Sequence, residues 1–182
     1  TYSDHVYANY GNGGHVNLGY MYRNDGVDIR VSPDPINSNG FYIGHTHRNE
    51  WMKYTVNVAE TGVYKANVRV ASIYNGGKFS LLIDDADVSE IQTISNTGNW
   101  EVFQTHEIEN LYLTAGKHVL TFYIDNDIEF NFGSIEFVKT GNSDAFVFKE
   151  ISGHTSDDRT SIEFSVSENL NTSSINGDLS QF

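Results

Sequence analysis

The chain has 182 residues, 38% of them hydrophobic and 13% aromatic, enough apolar surface for one all-β domain of ordinary size plus a short extension. There are 11 Lys and Arg against 24 Asp and Glu, a formal net charge of -13, which repels phosphate backbones and anionic lipid and argues against nucleic-acid or membrane partners. Cysteine is absent, which excludes disulfides and thiolate chemistry, and no apolar run reaches the length that spans a bilayer.

In chain order, residues 1–26 are rich in Gly, Asn and Tyr with little alternation. Thr1-Tyr2-Ser3-Asp4-His5 has neither a basic patch nor an apolar segment, so no signal peptide is read there. The chain begins in mid-pattern and reads as a piece of something longer. Alternation starts at Val27 to Val31. Trp51 to Val58 alternates as a half-buried strand does, and Tyr64 to Ala71 repeats it with Tyr64, Ala66, Val68 and Val70 on one face. Phe79 to Ile83, Val88 to Ile94, Val102 to Ile108, His118 to Ile124 and Ile135 to Val138 continue the series. The breaks carry turn chemistry: Asn75-Gly76-Gly77, Asp84-Asp85, Thr97-Gly98-Asn99 and Ala115-Gly116. No segment shows a 3.6-residue apolar period. Many short strands with regular turns predict an all-β sandwich or barrel.

Gly141-Asn142-Ser143-Asp144 has linker composition, and Phe146 to Phe148 and Ile162 to Val166 alternate beyond it. The division predicted is a β-sandwich module over residues 1–139 and a linker with an extension over 140–182. That extension is either an appended pair of strands or the start of a further module.

Four separated segments carry more than core patterning. They are Gly44 to Val56, Ser95-Asn96-Thr97-Gly98-Asn99-Trp100, Leu113-Thr114-Ala115-Gly116-Lys117-His118, and Phe130 to Phe137. In order and spacing they resemble the family 6 carbohydrate-binding modules, over roughly residues 16–139. The resemblance implies a jelly-roll β-sandwich of two antiparallel sheets. It also implies a sugar site in the loops at one end, with a pyranose held between two aromatic rings and hydrogen-bonded by an asparagine. The physical logic stands beside the family: sugar C–H faces stack on aromatic rings, and sugar hydroxyls need oriented polar partners.

Residue by residue, Trp100 matches the tryptophan wall and Asn131 the polar anchor. The alternatives are a Trp100 that caps the core and an Asn131 that only forms a turn. The opposite wall departs from the family, because His45 stands where an aromatic follows the glycine. Either His45 fills that wall or Tyr42 or Phe41 replaces it; Tyr20 and Tyr22 are further platform candidates. Trp51 matches a tryptophan of a second sugar site on a sheet face, or is a plain sheet-surface aromatic. Glu136 matches an acidic ligand of a structural calcium ion, which hard oxygen donors suit. The Glu-X-Glu that completes that site in the family has no counterpart after Thr1.

The residues offer two rival chemistries. His45 and His47, two apart on an extended segment, would face one way and could ligate zinc, but no third ligand is placed. A glycoside hydrolase needs two carboxylates about 5 to 10 Å apart across the scissile bond; Glu50 and Glu129 lie near the loops, without a motif-like pairing. The expectation is therefore a monomeric, non-catalytic module that binds a polysaccharide or oligosaccharide. It would be cut from a secreted, extracellular enzyme and tethered there to a catalytic domain. An algal galactan such as agar is favoured, with xylan and β-1,3-glucan open. The runners-up are a catalytic jelly-roll hydrolase or lyase, then a surface adhesin or lectin.

Overall fold

The computed structural model describes residues 2–3, 27–36, 39–142, 151–155 and 162–166, the first and last two of these stretches as backbone strands. The chain divides into two compact units, Thr1–Asn142 and Ser143–Phe182. Every described element is a strand, and every pairing is antiparallel.

In the first unit the strands are β1 (Tyr2–Ser3), β2 (Ile29–Val31), β3 (Phe41–Ile43), β4 (Trp51–Val58), β5 (Gly62–Ala71), β6 (Gly77–Ile83), β7 (Ala86–Asp87), β8 (Gln92–Ile94), β9 (Gln104–Leu113), β10 (Gly116–Ile124) and β11 (Asn131–Gly141). One sheet runs β1-β4-β10-β6-β7 with β8 also on β6, and the other runs β2-β3-β11-β5-β9. This is the two-sheet β-sandwich that the family resemblance implies, where alternation alone leaves a barrel open. The register follows the hydrophobic pattern, because a slip of one residue would turn each apolar face outward. Phe122 stands opposite both Met52 and Leu81, and all three are buried. Between the sheets Phe79, Phe122, Phe130 and Phe132 form a ring stack, with centroids 4.7 Å apart for Phe79–Phe122 and 4.2 Å for Phe122–Phe132.

The strand boundaries differ from expectation in instructive places. Val88 to Ile94 is not one strand: only Gln92–Ile94 pairs. Ser89 Oγ accepts the Leu81 amide at 2.8 Å and Glu90 has φ 52, so the chain bends out of the ladder before rejoining it. The strand expected from Val102 starts at Gln104 and continues to Leu113, with Asn110 at φ 61. β3 was not anticipated, being three residues long between turns.

In the second unit β12 (Ile151–Thr155) and β13 (Ile162–Val166) form a hairpin with Ile151 opposite Val166. Phe146 to Phe148, Tyr20 and Tyr22 lie outside the described residues.

Candidate functional site

Three segments are bent and locked so that their side chains meet at one end of the sandwich. The first follows β3. Thr46, 1% exposed, donates from Oγ1 to the Phe130 carbonyl at 2.8 Å and accepts the Phe130 amide at 3.0 Å, clamping the loop to the start of β11. His45 and Asn49 take left-handed backbone, with φ 52 and φ 71, and Glu50 accepts the His47 amide at 3.0 Å. The turn of the chain at His45 removes the extended alternation on which a His45–His47 zinc pair depends. Among the described residues no group of three His, Asp or Glu could hold a metal ion.

The second segment precedes β9. Gly98, φ 97, supplies a turn that other residues enter with strain, and Asn96 Oδ1 accepts its amide. Thr97, buried, accepts the Ser72 amide at 2.9 Å and so ties this loop to the end of β5. Trp100 is thereby carried to the rim. It is partly exposed, absent from the core, and meets Tyr74 edge-on at 5.5 Å and 82°.

The third segment opens β11. Phe130 and Phe132 point into the core, 0% and 4% exposed, so alternation sends Asn131 the other way. Its Nδ2 donates to the Trp100 carbonyl, which couples the polar anchor to the tryptophan loop. Its Oδ1 lies 2.8 Å from where a Cβ on Gly44 would stand, so only glycine fits there without displacement.

Together these segments enclose a cavity of about 400 Å³ lined by Tyr42, His45, Trp100 and Asn131, with Arg30, Glu101 and Glu129 among its charged groups. Four of the five expected sugar-contacting residues thus share one cavity. Tyr42 is only 3% exposed: its ring packs on Phe103 at 5.4 Å and its hydroxyl donates to Glu101 at 3.4 Å. Burial pushes the Tyr42 phenol up, with Arg30 pulling the other way. Buried as it is, Tyr42 lines the cavity from within the fold, and His45 lines it from the loop after β3. Arg30 and Glu101 were not anticipated. Arg30 sits on a short strand whose sequence signals only alternation, and Glu101 simply follows Trp100.

The wall bearing Arg30 and Tyr42 is held from below by a buried ion pair. Arg69 on β5 reaches Asp34 with Nε–Oδ2 at 2.7 Å and Nη2–Oδ1 at 2.9 Å, and it also donates to Thr105 and the Phe103 carbonyl. Burial raises the Asp34 carboxyl, but the Arg69 and Ile36 hydrogen bonds and the Arg69 charge outweigh it and hold the group below its ordinary value.

Trp51 and Glu136 are not brought to this cavity. Trp51 opens β4 on the other sheet, opposite Tyr123, with the Lys53 ammonium 5.4 Å from its ring. Glu136 lies exposed on β11, accepting from Asn67 at 3.2 Å and close to the Lys65 ammonium.

Among the described residues two carboxylates line the cavity: Glu101, which accepts from the Tyr42 hydroxyl, and Glu129, whose Oε1 lies 3.6 Å from His47 Nε2. An arrangement of ring walls, an amide anchor and acceptor oxygens is suited to hold a polyhydroxylated ring.

The family model described as Carbohydrate binding module (family 6) matches residues 10–139. A β-agarase, AgaA of Microbulbifer thermotolerans, is 27% identical in an alignment of 136 residues that covers 71% of this chain and 31% of that enzyme. The chain therefore spans under a third of the length of that relative. The carbohydrate-binding module CBM6cm-2 of Cellvibrio mixtus lichenase 5A, solved with cellotriose, is 25% identical with a TM-score of 0.56, covering 63% of this chain and 88% of its own. The C-terminal module of LamC, a marine laminarinase of Zobellia galactanivorans, is 25% identical with a TM-score of 0.55, covering 68% and 95%. A β-1,3-glucan-binding module of Bacillus halodurans, 22% identical with a TM-score of 0.53 over 62% of this chain and 85% of its own, shares the fold.

Proposed function

The chain belongs to family 6 of the carbohydrate-binding modules, whose role is non-catalytic carbohydrate binding, and from that premise we propose that the Trp100–Asn131 cavity takes a neutral saccharide for an attached enzyme. One observation carries the reading: Tyr42, His45, Trp100 and Asn131, from separate stretches of sequence, line a single cavity. Trp100 supplies the stacking face. Asn131 and the cavity carboxylates offer partners to hydroxyls, and among the described lining residues Glu101 and Glu129 stand against Arg30, a balance that disfavours a heavily sulfated polymer.

The module would keep a tethered catalytic domain at an insoluble polymer by raising effective concentration, without lowering any barrier itself. That enzyme would work outside the cell, where such polymers lie. The agarase relative favours an agar-type galactan; the lichenase and laminarinase modules keep β-glucans in view, and xylan stays on the test panel. Calcium enters only as a stabilising ion at Glu136, which would need further oxygen ligands.

The test is isothermal titration of the purified chain with agarose, laminarin and xylan fragments, alongside a reducing-sugar assay on the parent polymers. Binding without release of reducing ends is expected. Release that disappears in Glu101→Gln or Glu129→Gln would replace binding with hydrolysis.

A further inference from the structure

A second cavity, of about 520 Å³, adjoins the first: Tyr74, Asn75, Asp127 and Ile128 line it, and Glu129 lines both. Two exposed apolar side chains stand there together, Tyr74 at 50% and Ile128 at 37%. The Tyr74 ring is also the edge-on neighbour of Trp100. A second aromatic ring thus stands past the tryptophan wall, set edge-on to it, with a shared carboxylate at the junction.

This surface is built, not merely left open. Asn126 Nδ2 donates to the Gly76 carbonyl at 2.7 Å, and its Oδ1 accepts the Lys78 amide at 3.0 Å, joining the 72–77 and 125–129 loops. Gly76 has φ 95, and a Cβ on Gly77 would stand 2.9 Å from Phe130, so the loop follows a path that only glycines allow. Asn75 Oδ1 accepts the Asn96 amide at 2.8 Å, and Asp127 pairs with Arg48 at 3.7 Å. Loops pinned in this way lose little freedom when a ligand arrives.

We propose that this cavity is a second subsite for the same glycan: the sugar next to the one at Trp100 rests on Tyr74 and Ile128, with its hydroxyls toward Glu129 and Asp127. The proposal rests on the reading of the Trp100 cavity as a saccharide site. The occupant follows from continuity with that cavity and from charge. Apolar platforms bordered by carboxylates suit a neutral, hydroxyl-rich ring and repel phosphate or sulfate.

The experiment is calorimetric titration with cello-, laminari-, xylo- and neoagaro-oligosaccharides of increasing length. In whichever series the wild-type chain binds, affinity should rise as the oligomer outgrows the first cavity. Tyr74→Ala and Ile128→Ser should each remove about tenfold from the long ligands and leave the shortest unchanged. Ile128 is not a ring neighbour of Trp100, so its variant separates a subsite from a prop. Equal weakening at every length in Tyr74→Ala, with Ile128→Ser normal, would reduce Tyr74 to a support for Trp100 and overturn the subsite. So would a wild-type affinity independent of length. Absence of binding in every series would instead fell the reading of the first cavity.

Discussion

The two ends of the sandwich are built on the same strands and finished differently. At the far end the turns are closed on themselves. Asp84 and Asp85, with φ 51 and 66, make a tight turn whose carboxylate accepts the Val119 amide and meets His118 Nδ1 at 2.7 Å. His118 Nε2 reaches the Thr114 carbonyl at 2.9 Å, and Lys139 pairs with Glu60. At the cavity end the loops are locked from beneath, by Thr46, Thr97 and Arg69, which leaves ring faces at the rim. Polar groups that satisfy one another make a cap. Polar groups spent on fixing loops make a site.

The largest expected effect is on stability, at the base of the cavity end. Arg69→Met should strand the Asp34 carboxylate and cost about 3 to 5 kcal/mol, as breaking a buried pair does. Urea unfolding would measure it. A loss below about 1 kcal/mol, the range of an exposed pair, would erase this difference between the two ends.

Next comes Trp100→Ala. If the ring is a cavity wall, binding should fall by about 2 kcal/mol, roughly thirtyfold, with the melting temperature nearly unchanged. If it fills core, stability should drop instead by about 3 to 5 kcal/mol. Asn131→Ala should weaken binding by a similar amount, and His45→Ala by less, because the imidazole is the smaller wall. Trp51→Ala, on the other sheet, should leave cavity binding intact. A thirtyfold loss there would move the site to the sheet face.

The far end should answer to pH and not to sugar. The Asp84 hydrogen bond, then the Thr114 carbonyl, raise the His118 imidazole above its ordinary 6.5; His118 and the Val119 amide hold Asp84 below its ordinary 3.8. A raised histidine stabilises fully below 6.5, and that contribution is lost as pH rises through its folded value. A lowered carboxylate stabilises above 3.8, and loses its contribution as pH falls through its folded value. Melting temperature should therefore decline from neutral toward alkaline pH, and His118→Gln should flatten that decline while sugar affinity stays the same. An unchanged slope would remove the clip.

The smallest effect concerns calcium. If Glu136 contributes to a stabilising site, chelator should lower the melting temperature and spare sugar affinity. Coincident melting curves would dismiss the ion.

Period-two alternation in Trp51 to Val58 and Tyr64 to Ala71 determined the strands and the inward faces, because each side chain's face follows from its place in the pleat. It also sent Asn131 away from the core, since Phe130 and Phe132 on either side had to go in. Alternation stops at the bends: nothing in Val88 to Ile94 signals that a serine hydroxyl will take a ladder amide. Nor does it say which loops meet. Arg30 lies on β2 and Glu101 and Tyr74 in two separate loops, and only the antiparallel pairing of β2, β3, β5 and β11, with Arg69 pinning Asp34, brings them to Trp100. Local pattern decides which way a side chain points, and long-range pairing decides what it meets.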